Sequence, residues 1–181
     1  MKEKLIGSKF ILRDLRPEED RESIIKNINN KKILGKLPLE YPYTEKDYQK
    51  LVELFNIEKE TDGADINFVI DVDGEAVGCI SLMLNKKVSN KHVAEIGYWL
   101  GENYWGRGIA SEATKLLCDF AFGKLNILKL IIQALNDNIA SRRVAEKNGF
   151  KLEYIRKKEA FKEGEYKDLV CYSMFNDSFK Q

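Results

Sequence analysis

Apolar and polar residues alternate near the start of the chain in a pattern that predicts a strand followed by helices. Phe10 to Leu15 alternates between the two classes, which indicates a strand with one buried face. Acidic residues follow Pro17, as they do in the first turn of many helices, and the helical pattern runs to about Leu34. Lys36 to Tyr43 contains two prolines and two tyrosines and is predicted as a loop, and Thr44 is a candidate N-cap for the next helix.

A turn signal indicates a β-hairpin in the middle of the chain. Asp73-Gly74 separates two largely apolar stretches, Ile66 to Val72 and Glu75 to Asn85, which are predicted as its strands. Lys91 to Leu100 is predicted as a further strand, antiparallel to the second strand of the hairpin. This half of the chain therefore contains four predicted strands in a mostly antiparallel arrangement.

The second half of the chain is predicted to alternate between helices and strands. From Ala110 the apolar residues form a helical stripe that ends at Gly123, a candidate C-terminal cap. The elements predicted after it are a strand from Leu128 to Leu135, a short helix from Asn138 to Asn148 closed by Gly149, and strands from Phe150 to Ala160 and from Tyr166 to Phe175. The order β-α-α-β-β-β-α-β-α-β-β predicts an α/β (α+β) fold around a mixed, mostly antiparallel sheet.

Composition narrows the class of protein. The 181 residues are 44% hydrophobic, which fits one domain spanning residues 1–181. The net charge is +1 and the charges are interspersed, so a nucleic-acid partner is disfavoured. No signal peptide or membrane-length apolar run is present, so no membrane partner is expected. Cys79, Cys118 and Cys171 are odd in number and widely spaced, which predicts buried free thiols and a cytoplasmic location.

Tyr104 to Ala110 is a candidate anion-binding loop between a predicted strand and a predicted helix. Gly106 and Gly108 let the backbone approach a diphosphate, the N–H groups of the helix start point at its oxygens, and Arg107 adds a charge-assisted contact. The alternative is that the two glycines merely turn the chain. The segment has neither the Gly-Lys-Ser/Thr of a Walker loop nor the three glycines of a Rossmann fingerprint, so ATP and NAD are excluded.

A second segment, later in the chain, makes the interpretation of the candidate anion-binding loop more specific. This segment is Asn138-Ile139-Ala140-Ser141 followed by Glu146-Lys147-Asn148-Gly149-Phe150. Taken by itself, it predicts a short helix in which Asn138 is the N-cap and which Gly149 ends. Together with the earlier Tyr-Trp-Gly-Arg-Gly-Ile-Ala loop, the segment resembles the GNAT acetyltransferases, in particular the RimJ/RimL-type ribosomal-protein N-terminal acetyltransferases. Other stretches that carry the resemblance are Leu12 to Arg16 with Asp20, Glu95 to Leu100, and Tyr166 to Ser173.

The resemblance implies a fold and a cofactor. It implies a GNAT fold of about seven strands with helices on both faces and with the fourth and fifth strands splayed around acetyl-coenzyme A, the cosubstrate. The residues implied to bind it are Tyr98, Trp99 and Leu100 for the pantetheine arm, Trp105, Gly106, Arg107, Gly108, Ile109, Ala110 and Ser111 for the pyrophosphate, and Asn138 for a pantetheine amide. Trp105 departs from the glutamine or arginine that opens the family's loop pattern.

The same resemblance suggests catalytic residues. A backbone N–H near Leu100 polarises the thioester carbonyl. Many GNAT enzymes present a tyrosine acid from the helix before Gly149, but the matching residue is Ala145, so Ser141 one turn earlier is the candidate acid. Alternatively, Ser141 is a first-turn hydroxyl bonded to the backbone.

The resemblance also makes Glu95 and Glu159 the candidate general bases, and the alternative for each is a solvated glutamate on a strand. His92, the single histidine, is expected to be structural or exposed. With one histidine and no clustered cysteines, no metal site is expected.

The acceptor is expected to be a primary amine. A protein N-terminal α-amine, whose pKa is roughly 7.7 to 8.0, is partly neutral near pH 7.5 and needs only a weak base. A polyamine or aminoglycoside is the second candidate, and the acidic cluster Glu58, Glu60, Asp62 and Asp65 would suit it. A non-catalytic coenzyme A-binding module is the third. The predicted loop Lys36 to Tyr43 lies on the substrate side, and the protein is expected to be a monomer or homodimer.

Overall fold

A mixed sheet forms the centre of the computed structural model, which describes residues 4–60, 64–84 and 91–179. Within those residues the sheet has eight strands in the order β1-β2-β3-β4-β5-β6-β8-β7, and each neighbouring pair is antiparallel except β5 and β6. The strands are β1 (Leu5–Ile6), β2 (Ile11–Arg13), β3 (Ile66–Val72), β4 (Glu75–Leu84), β5 (Val93–Leu100), β6 (Lys129–Leu135), β7 (Lys151–Lys162) and β8 (Glu165–Phe175).

Helices cover both faces of this sheet. They are α1 (Arg21–Ile28), α2 (Lys31–Leu34), α3 (Glu45–Glu60), α4 (Ile109–Lys124) and α5 (Ile139–Lys147), with a 3-10 turn over Glu102–Tyr104. None of the described helices is long and apolar enough to span a membrane. The predicted α/β class, the mostly antiparallel sheet and the helices on two faces are confirmed.

Two hydrophobic cores explain this layering. Phe68 and Ile70 of β3 point to the face covered by α4, where they join Ala113 and Leu117 in one buried cluster. Val69, between them in sequence, points to the opposite face and belongs to a second cluster built on α1 and α3. Successive side chains of a strand point to opposite faces, so a strand that is apolar on both of its faces can carry both cores.

The sheet has one strand more than the sequence predicted. Leu5 pairs with Leu12 and Ile6 with Ile11, which adds the short edge strand β1. Two residues carry no recognisable periodicity, so this strand has no signal of its own in the sequence.

Two helix boundaries differ from the predictions. The helix expected to run to Leu34 ends at Ile28, because Asn30 begins α2 as its N-cap and accepts a hydrogen bond from the Lys32 N–H (2.8 Å). The α4 helix continues through Gly123 to Lys124, so the prediction that Gly123 ends it is wrong. Asn126, with φ of 49°, is the left-handed residue after this helix.

A buried ion cluster fixes the first strand and the first helix to the sheet. The Arg13 guanidinium donates to both carboxylate oxygens of Asp20 (2.7 Å each) and to Asp71 (2.6 Å), and all three residues are buried. Asp71 also accepts from the Gly74 N–H (2.7 Å) in the hairpin turn, and Asp20 from the Arg16 N–H (2.8 Å). Both carboxylates therefore keep partners without water, as buried charges require.

Arg13→Ala is expected to lower the free energy of unfolding by about 3–5 kcal/mol, because it leaves two buried carboxylates without their cation. The matched control is Arg21→Ala, which breaks the exposed pair with Glu45 (2.8 Å) and should change stability little. Urea unfolding of both variants measures the difference. An Arg13→Ala protein as stable as Arg21→Ala would contradict a structural role for the cluster.

Candidate active site

A cavity of about 660 Å³ opens where β5 and β6 separate. The two strands pair only from Val93–Lys129 to Glu95–Ile131, and within the described residues the pairing ends there. The cavity walls come from Tyr98–Leu100, Tyr104–Gly106, Gly108–Ser111, Asp137–Ser141, Arg143, Val144 and Lys147, and, on the other face of the sheet, Lys32, Ile33, Lys36 and Leu37. The fourth and fifth strands of the predicted sheet, which were expected to splay apart, are therefore β5 and β6. Their numbers are higher by one because the structure contains the additional strand β1.

The backbone of β5 directs hydrogen-bonding groups into this gap. The Gly101 N–H donates to the Val77 carbonyl of β4 (2.8 Å), whereas the His92 carbonyl accepts from the chain entering β6 (3.0 Å). The N–H and C=O groups of successive residues in a strand point alternately to its two sides. Tyr98 and Leu100 are an even number of positions from His92, so their N–H and C=O groups point away from β4, as those of His92 do. The N–H groups of Tyr98 and Leu100 thus face the part of the gap that β6 has left.

Gly106 and Gly108 form a turn that a side chain would strain. Their φ angles are +73° and +81°, in the left-handed region, and a Cβ at either would meet no atom within 4 Å. Gly108 is the N-cap of α4, so the first N–H groups of that helix, at Ile109 to Ser111, have no partner within it and lie at the cavity wall. An open space beside free N–H groups at a helix N-terminus suits a diphosphate.

Trp105 has a role that sequence reasoning missed. Its indole Nε1–H donates to the Leu100 carbonyl (2.7 Å), although the side chain is 44% exposed. This bond satisfies the carbonyl that faces the gap and fixes the peptide after Leu100. The signal in the sequence was the departure at Trp105 from the family's glutamine or arginine.

The start of α5 forms the opposite wall of the cavity. Asn138 caps the helix, its Oδ1 accepting from the Ser141 N–H (3.2 Å), so only its NH₂ group can bind a ligand carbonyl. The Ser141 hydroxyl lies 2.8 Å from the Tyr98 hydroxyl on β5. Asn148 at the end of α5 donates to Ser111 Oγ (3.2 Å), which ties the two helices together at the cavity. Ala145, which occupies the position of the tyrosine acid in many GNAT enzymes, is buried in the core.

Three residues predicted for the site do not line the cavity. Arg107 places its guanidinium 5.2 Å from the centre of the Tyr104 ring. Glu159 is exposed and paired with Arg156 (2.8 Å). Glu95 accepts from Gln133 (2.9 Å), and burial raises the pKa of its carboxyl.

The two candidate bases belong to one chain of contacts. Arg156 donates to the Gln133 side-chain carbonyl, so the series runs from Glu95 through Gln133 and Arg156 to Glu159. Each carboxylate therefore already has a partner in this series. Either could act on a substrate in the cavity only through an intervening group such as water.

The acidic cluster considered for a polycationic substrate is not part of the described cavity. Asp62 lies outside the described residues, as do the side chains of Glu58 and Glu60. Asp65 accepts from the Leu84 N–H (2.9 Å) and does not line the cavity. In the described parts of the chain, no three His, Cys, Asp or Glu side chains are grouped to hold a metal ion. Cys79, Cys118 and Cys171 are buried free thiols, as predicted.

A family model described as an acetyltransferase (GNAT) domain matches residues 9–151. The chain belongs to the GNAT acetyltransferase family. It is an acetyl-coenzyme A-dependent N-acetyltransferase, and the resemblance stated from its motifs is confirmed.

Relatives of this GNAT protein include enzymes with two kinds of acceptor. The ribosomal-protein-serine acetyltransferase of Escherichia coli (strain K12) is 32% identical over 139 residues, covering 77% of this chain and 76% of that protein. The spermidine N(1)-acetyltransferase of the same strain is 28% identical over 137 residues, covering 75% and 73%. A structure of RimL, a ribosomal L7/L12 α-N-protein acetyltransferase in complex with coenzyme A, has a TM-score of 0.84 at 24% identity, covers 97% of this chain and 99% of that chain, and shows the shared fold.

The GNAT cavity has the groups that acetyl-coenzyme A requires. The N–H groups at the start of α4 suit the diphosphate, and the edge of β5 at Tyr98 and Leu100 suits the amides of the pantetheine arm. Arg143 and Lys147 add positive charge to the same wall. The residues present therefore fit the cosubstrate, through backbone groups more than through side chains.

Gly108→Ala is expected to weaken acetyl-coenzyme A binding at least tenfold, about 1.4 kcal/mol, because the added Cβ strains the turn and enters the space beside the helix N-terminus. Gly164→Ala is the matched control: Gly164 has the same φ of +81° and the same open surroundings, but it lies in the β7–β8 turn outside the cavity. Calorimetry on both folded variants measures affinity. Unchanged binding in Gly108→Ala, or an equal loss in Gly164→Ala, would remove the diphosphate assignment.

Proposed function

We propose that this GNAT enzyme acetylates the N-terminal α-amine of a protein, with a ribosomal protein as the substrate class. The relationship to the ribosomal-protein-serine acetyltransferase supports this assignment. The alternative is a polyamine, which the relationship to spermidine N(1)-acetyltransferase supports. The charges around the cavity support the protein N-terminus over the polyamine.

The observation that carries the proposal is that Asp137 is ion-paired with two lysines. It is the single carboxylate among the described cavity residues, and it is bound by Lys36 (2.9 Å) and Lys167 (2.6 Å). Burial raises the pKa of Asp137, but the hydrogen bonds and charges of Lys167 and Lys36 outweigh this effect and lower the pKa overall. Its negative charge is therefore already neutralised.

The wall on the α2 side of the sheet offers no unpaired carboxylate among the described residues. Lys32 and Lys36 line it, Lys32 being paired with Glu102 outside the cavity. A polyamine carries several ammonium groups and needs unpaired carboxylates to hold them, since like charges repel. The α-amine of a peptide carries one ionisable nitrogen that is partly neutral at physiological pH. The wall therefore favours the peptide over the polyamine.

The chain's own residues supply the proposed chemistry. The neutral amine enters from the α2 side and attacks the thioester carbonyl, whose oxygen accepts from the Leu100 N–H in the gap. Ser141 gives a proton to the departing sulfur. The nitrogen sheds its proton to water, with Glu95, on the strand that lines the cavity, as the candidate base acting through solvent. The buried free thiols are consistent with the cytoplasm, which we propose as the location.

An amine panel tests the proposal. Peptides with free N-termini, spermidine and an aminoglycoside are each incubated with acetyl-coenzyme A, and release of free thiol is followed. We expect a peptide to have the highest kcat/KM, by at least tenfold, and its kcat/KM to rise with pH along the amine's own titration, near roughly 7.7 to 8.0. A preference for spermidine would contradict the assignment.

Glu95→Gln and Glu159→Gln extend the same assay as a matched pair. Because an α-amine needs only a weak base, Glu95→Gln should keep kcat/KM on the best peptide within about tenfold of wild type, and the exposed Glu159→Gln within about twofold. Loss of several orders of magnitude in one of them would identify that glutamate as an obligatory general base.

A further inference from the structure

Two hydroxyl groups meet across the gap between β5 and α5. Tyr98 Oη and Ser141 Oγ are 2.8 Å apart, and both residues line the cavity. Tyr98 lies in the part of β5 beyond its pairing with β6, and Ser141 in the first turns of the helix that follows β6. The contact therefore bridges the two sides of the cosubstrate cavity.

The chemistry of the two hydroxyls decides which one donates. The 2.8 Å contact allows either hydroxyl to donate, but a phenol is more acidic than an aliphatic alcohol and is the better donor, which favours the Tyr98 O–H as donor to Ser141 Oγ. Serine in a helix otherwise bonds to the backbone carbonyl one turn earlier. Here its oxygen is engaged by Tyr98, and its own hydrogen is available to a group in the cavity that Ser141 lines.

We propose that Tyr98 is a positioning residue that holds Ser141 as the proton donor to the leaving sulfur, an inference that rests on the acetyl transfer proposed above. As the amine nitrogen bonds to the carbonyl carbon and the C–S bond breaks, the sulfur keeps the bonding electron pair and takes the proton of Ser141. The proton on Oγ is replaced in the same step, so no serine alkoxide forms, and the Tyr98 O–H stabilises the partial negative charge on Oγ during the transfer. The proton that the nitrogen sheds reaches Oγ through water and restores the hydroxyl, so no proton is gained or lost overall.

Burial keeps Tyr98 in its donor form during this step. It raises the pKa of the phenol to about 12. Tyr98 is therefore protonated at physiological pH and donates a hydrogen bond without giving up its proton. A tyrosine hydroxyl is thus present at the site, but it comes from Tyr98 on β5, whereas α5 has Ala145 at the position of the family's tyrosine.

A double-mutant cycle tests this role through turnover. Tyr98→Phe should lower kcat about tenfold and leave the KM for acetyl-coenzyme A within about twofold, because the interaction matters most as the C–S bond breaks. Ser141→Ala should lower kcat at least as much. The double variant should be no slower than Ser141→Ala, because Tyr98 acts through Ser141. Additive losses would overturn the positioning role, as would a Tyr98→Phe enzyme with unchanged kcat.

Tyr48→Phe is the matched control. Tyr48 is a buried tyrosine whose hydroxyl donates to the Pro17 carbonyl (2.5 Å) outside the cavity, so its loss should leave kcat unchanged. A fall in kcat equal to that of Tyr98→Phe would show that any buried tyrosine hydroxyl has this effect and would overturn the proposal.

A spectroscopic readout separates this inference from the proposed function. In protein labelled with carbon-13 at the tyrosine ζ position, the resonance absent from Tyr98→Phe belongs to Tyr98. It should shift in Ser141→Ala and again when coenzyme A is added to the wild type. An unshifted resonance in Ser141→Ala would overturn the hydrogen bond. A wild type that acetylates no amine in the panel would instead overturn the proposed function and the catalytic part of this inference with it.

Discussion

The separation of β5 from β6 is the constraint on which the site depends. A buried N–H or C=O without a partner costs free energy, so strands rarely part without something to take the place of the lost neighbour. The N–H groups of Tyr98 and Leu100 face the gap, and the indole of Trp105 takes the Leu100 carbonyl. What remains are the two N–H groups and the Tyr98 carbonyl, which suit a ligand that carries amide groups. The start of α4 adds further free N–H groups at the same cavity.

Recognition through the backbone explains why the site tolerates unusual side chains. A tryptophan can stand at Trp105, because the groups that suit a diphosphate are the backbone N–H groups of Ile109 to Ser111 at the start of α4. Arg107 can turn away to Tyr104 for the same reason. An alanine can replace a tyrosine at Ala145 if a hydroxyl arrives from elsewhere, and Tyr98 is in reach of Ser141.

The sequence predicted those features that are local in the chain. The turn at the glycine pair, the cap at Asn138 and the hairpin at Asp73-Gly74 each depend on residues close together in the chain, and the structure contains all three. The break between α1 and α2 also had a local signal, the pair Asn29-Asn30, which favours caps and turns over helix interiors.

Contacts between distant elements had no such signal. The bond from Tyr98 to Ser141 joins residues 43 positions apart, and the contacts of Asp137 with Lys36 and Lys167 join three separate parts of the chain. Such contacts depend on how β5, α2, α5 and β8 pack. The resemblance, which contains no information on such contacts, therefore brought Glu95 and Glu159 forward as bases, while the structure places both outside the cavity lining.

Amide hydrogen exchange, resolved residue by residue with and without saturating acetyl-coenzyme A, tests the central claim most directly. The claim is that the cosubstrate binds the backbone groups of β5 that do not pair with β6. The amides of Tyr98 and Leu100 should exchange much more slowly when the cosubstrate is bound, whereas those of Gly97 and Trp99, which face β4, should change little. Equal protection of all four amides with and without acetyl-coenzyme A would contradict the account.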